Sequence, residues 1–198
     1  MSDNYSLIIK NGSCYIDGKF QKIDLALSGN KIKKVGKIDL NSSKVFDATG
    51  KIVLPGAIDT QVHFREPGAN DAENLESGSR AAVAGGITSV FEMPNTNPPT
   101  SNMKEFRRKL DLAKNRMYSN YAFYFGATAD NADDLASLEG LEGCCGIKLF
   151  AGSSTGNLLV AEEDDIDKVF QNASKVVAVH SEDEAILKVN KKLSLIHI

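Results

Sequence analysis

From Lys51 onward the chain repeats one rhythm: a short apolar run, a turn signal, then a stretch with helical spacing. The runs with strand character are Ala57–His63, Thr88–Met93, Asn120–Ala127, Gly146–Phe150 and Val176–His180. Between the first two, residues 73–84 carry Leu75, Ala82 and Val83 on one helical face. Asn70 and Glu73 read as a capping box at its start, and Gly85-Gly86 as its stop. Residues 102–117 predict a charged amphipathic helix with Phe106, Leu110 and Ala113 inward, and Asp164–Phe170 begins another. Strands separated by helices pair in parallel, with the helices covering the sheet. The fold class is therefore α/β, a partial (β/α)8 TIM barrel. Five strands are about half to two thirds of such a barrel, which typically takes ~250 residues.

The first 50 residues have a different texture. Asp17-Gly18 and Gly29-Asn30 are hairpin-turn pairs, and Ile23, Leu25 and Leu27 alternate with polar residues. Residues 1–50 are expected to form part of a small β-domain, and residues 51–192 the barrel part. The final segment, 193–198, is read as a non-native tail, so the native chain is expected to continue past Lys192, and His197 is given no role.

Composition closes several other routes. A net charge of -3, with both signs mixed along the chain, offers no basic surface for nucleic acid. No apolar run approaches the ~20 residues of a membrane span, and no signal peptide precedes Leu7-Ile8-Ile9. Three cysteines, Cys14, Cys144 and Cys145, make no disulfide framework, which leaves a cytoplasmic location as the expectation.

The chemistry-bearing residues gather at strand ends. In Asp59-Thr-Gln-Val-His63, alternation puts Asp59, Gln61 and His63 on one face, inward in a barrel, and Arg65 follows over the mouth. A lone histidine there is more often structural, but the adjacent arginine and later candidates favour a ligand. Lys148 stands between Ile147 and Leu149; if that apolar pair faces the helices, the lysine lies inside the barrel. Burial would lower its pKa, and the neutral amine can add carbon dioxide to give an anionic carbamate ligand. The alternative is an inward lysine paired with a carboxylate. His180 ends Val176-Val-Ala-Val-His180, ahead of an acidic first helical turn at Ser181-Glu-Asp-Glu184, and neutral imidazole is a common zinc ligand. Asn95 sits in the proline-bounded loop Glu92-Met-Pro-Asn-Thr-Asn-Pro-Pro99, where its amide suits a ureide edge or simply a turn.

These residues resemble class I dihydroorotases of the amidohydrolase superfamily over roughly residues 5–192. The resemblance rests on Asp47-Ala-Thr-Gly50 with Leu54-Pro-Gly56, Val62-His-Phe-Arg-Glu-Pro-Gly68, Glu92-Met-Pro-Asn-Thr96, Gly146-Ile-Lys148 and His180-Ser-Glu-Asp183. It implies a (β/α)8 barrel with a small β-domain built from both chain ends. It implies a zinc site of one or two ions held by His63, a carboxylated Lys148 and His180. It also implies that Arg65 and Asn95 hold the carboxylate of dihydroorotate or carbamoyl-aspartate, the small-molecule substrates. In such enzymes the metal activates water for attack on the ring amide, and a late aspartate moves the proton.

Two departures from the family pattern stand out. Gln61 occupies the place of the first paired histidine, and glutamine is a poor zinc ligand beside imidazole. The late histidine and aspartate have no counterpart in these 198 residues, so the chain alone is expected to be inactive. The expected activity at full length is dihydroorotase, in pyrimidine biosynthesis, with a homo-oligomer or a carbamoyltransferase as possible protein partner. The alternatives are a non-catalytic homologue acting as a scaffold, which Gln61 supports, and an allantoinase- or hydantoinase-type cyclic amidase. Arg65 argues against the last, because allantoin and simple hydantoins lack a carboxylate.

Overall fold

A computed structural model describes residues 5–39, 44–154 and 157–194. The chain divides into two compact units, residues 1–55 and 56–198.

The first unit is all β. Its strands are β1 (Leu7–Lys10), β2 (Ser13–Ile16), β3 (Lys19–Lys22), β4 (Asp24–Ser28), β5 (Lys31–Gly36), β6 (Val45–Asp47) and β7 (Ile52–Val53). They form a four-stranded sheet in the order β5-β4-β1-β6 and a three-stranded sheet in the order β3-β2-β7. Asp17 and Gly18 both take positive φ, 51° and 78°, as a tight turn between β2 and β3 requires. Gly29, at φ 58°, turns β4 into β5. Tyr5, Ile8, Ala26 and Ile38 form the buried cluster of this unit.

The second unit contains β8 (Ala57–Val62), α1 (Leu75–Ala84), β9 (Ile87–Glu92), α2 (Met103–Ala113), β10 (Asn120–Gly126), a 3-10 helix (Ala132–Leu138), β11 (Cys144–Phe150), α3 (Glu163–Asn172), β12 (Val177–His180) and α4 (Glu184–Ser194). Its five strands are all parallel and lie in the strictly sequential order β12-β11-β10-β9-β8. A doubly wound sheet would reverse its order at a switch point. Sequential order without reversal is the arrangement of a barrel, so this unit is a partial (β/α)8 barrel.

One face of the sheet carries Val62, Val90, Phe123, Phe125, Ile147 and Leu149 into a core with Leu75, Phe106, Ala113, Leu135, Leu138 and Val169 from the covering helices. Fully buried rings such as Phe106 and Phe123 are each worth roughly 1.5–3 kcal/mol of burial. Gly78 lets α1 approach Phe64: a Cβ there would lie 2.3 Å from the ring. Cys144 packs in this core, and burial pushes the neighbouring Cys145 thiol up to about 12. Both are free thiols.

Three details differ from the sequence expectation. The capping box of α1 is Asn74 with Ser77, not Asn70 with Glu73. Asn70 instead accepts from Gly68 N at 3.1 Å, while the Glu66 carboxylate takes the Leu75 amide at 2.9 Å and sets the first helical residue. Val83 is exposed; the inward face of α1 runs through Leu75, Gly78, Ser79 and Ala82. Helix α2 ends at Ala113 because Asn115 turns left-handed, φ 60°. Of the residues read as a tail, 195–198 lie outside the described residues.

Candidate functional site

The ends of β8 and β9 are tied together before any side chain is considered. Met93 N donates to Val62 O at 3.0 Å, and Asn97 N to Pro67 O at 2.9 Å. Because Val62 and Phe64 point into the helix-covered core, His63 is turned to the opposite face. There its Nδ1 lies 2.9 Å from Asn95 Oδ1. The amide oxygen only accepts, so Nδ1 carries the proton and Nε2 keeps its lone pair. His63 is held below the ordinary imidazole value by burial first; the Asn95 hydrogen bond opposes this, and the charges of Arg65, Lys148 and Lys109 reinforce it.

Arg65 is left-handed, φ 57°, a conformation a side chain of its size adopts only when its surroundings dictate it. The residue is exposed, and its guanidinium has no partner among the described residues. With Pro67, Gly68, Asn95, Thr96 and Pro99 it lines a cleft of about 520 Å³.

Ile147 and Leu149 are in the helix-side core, so Lys148 faces the other way and is 3% exposed. No carboxylate pairs with it among the described residues; its Nζ stands 4.8 Å from the Phe150 ring centroid. Desolvation pushes its pKa down. His180 stacks on the same ring, centroids 5.9 Å apart, and its Nε2 meets the Glu182 carboxylate. Phe150 thus links Lys148 to His180, while His63 senses Lys148 through its field. Gln61 is exposed, and its backbone N–H donates to Asp59 Oδ1 at 2.9 Å. Among the described residues no three His, Cys, Asp or Glu side chains group to hold a metal.

Sequence reasoning missed two ion pairs on buried carboxylates beneath this face. Lys109 Nζ lies 2.9 Å from Glu92 Oε2, both side chains 1% exposed. Arg116 forks onto Glu66, 2.8 and 3.1 Å. The signal for Lys109 was present: the spacing 106, 109, 113 puts it on the buried stripe of α2.

The Dihydro-orotase-like family model matches residues 50–187. The chain belongs to this family. Among similar curated proteins, dihydroorotase of Methanosarcina mazei is 37% identical over 180 residues, covering 89% of this chain and 39% of that protein. Allantoinase of Salmonella choleraesuis is 34% identical over 192 residues, covering 92% and 42%. L-hydantoinase (dihydropyrimidinase) from Arthrobacter aurescens superposes with a TM-score of 0.88 at 27% identity, over 98% of this chain and 44% of that one. The chain spans about two fifths of the length of the curated relatives it matches. Within the family framework, the β8 and β9 ends carry Arg65, Asn95 and His63. No helix among the described residues is long and apolar enough to cross a membrane.

Proposed function

We propose that this chain contributes the carboxylate-binding corner and the first metal ligands of a dihydroorotase, which interconverts dihydroorotate and N-carbamoyl-aspartate. The observation that carries the reading is the unpaired Arg65 guanidinium sharing one cleft with Asn95, beside His63 and Lys148. A guanidinium binds a planar carboxylate with two parallel hydrogen bonds, and the Asn95 amide nitrogen, unpartnered among the described residues, can donate a third.

The donor chemistry suits zinc. His63 offers Nε2, and desolvation favours the neutral amine of Lys148, which can add carbon dioxide with release of a proton to give an anionic carbamate that a cation would stabilise. His63, Lys148 and His180 would hold the ion, with Glu182 at Nε2 of His180 orienting or competing for that ring. Bound zinc supplies Lewis acidity and activates water. Arg65 and Asn95 orient the ring by its carboxylate, and Asn95 holds the His63 tautomer. Proton transfer at the ring nitrogen is assigned to none of these residues.

The test is an assay of the protein at native length, with zinc and bicarbonate, on dihydroorotate, allantoin and hydantoin. Turnover of dihydroorotate alone, with Arg65→Ala raising KM about 10–100-fold through loss of charge-assisted hydrogen bonds, supports the reading. An unchanged KM refutes the role of Arg65. Preference for allantoin would favour the second reading, to which the 34% identity with an allantoinase points.

A further inference from the structure

Helix α2 and the turn after it press two cations onto two buried carboxylates, one in each strand-end segment of the cleft. Lys109 pairs with Glu92 and donates to Met93 O at 3.3 Å. Arg116 pairs with Glu66 and donates to Leu112 O at 3.0 Å, so the end of the helix and the loop after β8 share one guanidinium. Glu66 follows Arg65 directly, and Glu92 precedes Asn95 by three residues. The two pairs also feel each other, since Lys109 and Glu66 interact through space.

Burying ion pairs is a poor route to stability, because desolvation offsets the attraction and apolar side chains of equal volume pack as well. Lys109–Glu92 is such a pair, and with the partly exposed Arg116 forked onto buried Glu66 at the same end of the sheet, the arrangement is better explained by geometry than by stability. The two-pronged hydrogen bond of Arg116 on Glu66 fixes direction and distance, as does the bond of Lys109 to Met93 O; an apolar contact does not. The loop after β8 needs fixing, because Arg65 is held left-handed there.

We propose that Lys109 and Arg116 are positioning residues, by which α2 brackets the segments carrying Arg65 and Asn95 and sets the affinity for the substrate carboxylate. The inference rests on the assignment of Arg65 and Asn95 to that carboxylate.

The experiment compares Arg116→Met, Arg116→Lys and the charge-neutral double variants Arg116→Met/Glu66→Gln and Lys109→Met/Glu92→Leu, which retain no unpaired buried charge. Amide hydrogen exchange over residues 64–70 and 93–99 is measured beside KM and kcat for dihydroorotate, in the protein at native length. Arg116→Met and its double variant should speed exchange in 64–70, and Lys109→Met/Glu92→Leu in 93–99, while each raises KM about tenfold with kcat little changed. Arg116→Lys should restore part of the KM. Unchanged exchange in both segments overturns the bracket. Faster exchange with wild-type KM also overturns it, as a purely structural pairing would behave so. Arg65→Ala, run in parallel, isolates the other failure: if it leaves KM unchanged, the carboxylate assignment falls and the exchange data alone decide the bracket.

Discussion

The side-chain oxygen of Asn95 lies 2.9 Å from Nδ1 of His63, across the ends of two adjacent parallel strands. One residue therefore has two tasks. Its oxygen fixes the histidine tautomer, and the residue lines the same cleft as Arg65.

These tasks separate by mutation. Asn95→Ala should weaken zinc binding about 10–100-fold, the usual effect of removing the partner of a ligating histidine. Asn95→Asp keeps an acceptor for Nδ1, so zinc binding should hold while the added charge repels the substrate carboxylate and KM rises. Competition with a chromophoric chelator reads the first effect, and steady-state kinetics the second. Unaltered zinc affinity in Asn95→Ala would remove His63 from the ligand set.

Among the described residues Lys148 is buried without a counter-ion, and desolvation favours its neutral amine. Protein equilibrated with 13C-bicarbonate should show a carbamate carbon signal that Lys148→Arg lacks, because the guanidinium does not add carbon dioxide. The variant should also bind less zinc per chain. A carbamate signal that persists in Lys148→Arg assigns the modification elsewhere.

Glu66 gives a pH dependence. Burial opposes its ionisation, but the Arg116 fork and the Leu75 amide outweigh this and hold the carboxyl below its ordinary 4.5. A lowered folded value means stability that is fully present above pH 4.5 and is lost as pH falls through the folded value. Glu66→Gln should therefore melt below wild type at neutral pH, by about 1–3 kcal/mol for a lost charged hydrogen bond. The gap should narrow as pH falls below 4.5 and close once pH has fallen through the folded value. A gap independent of pH would show that shape, not charge, is what the site requires.

Strands β8 and β12 are the edges of the parallel sheet, and they leave Ile58 59% and Val179 38% exposed. Open parallel edges with apolar side chains template further pairing. Residues 1–198 expressed alone should aggregate or bind a hydrophobic dye at micromolar concentration. A soluble monomer with one sharp melting transition would contradict this.

Much of the architecture is legible locally. The five barrel strands fall within a residue or two of their runs of strand character, because strand-forming residues bounded by turn signals act over a short stretch of chain. The two hairpin turns follow from Asp17-Gly18 and Gly29-Asn30, where left-handed backbone is cheap. The start of α1 was misplaced because two asparagines precede the helix, and the choice of Asn74 over Asn70 depends on Glu66, which comes from another element. Spacing places Lys109 on the buried stripe of α2, but a lone lysine there argues for solvent, and only the carboxylate beneath it makes its burial tolerable.

By itself the sequence determined the order and kind of the elements, and the residue types at the strand ends, because periodicity and turn chemistry act over a few neighbouring residues. The tertiary structure alone decided which of those residues meet: that Asn95 grips His63, that Lys148 lies over Phe150 instead of a carboxylate, and that α2 and the turn after it reach two buried acids. The contacts of Asn95, Lys109 and Arg116 join residues 17 to 50 positions apart, and no local pattern encodes which partner lies across a strand gap of about 5 Å.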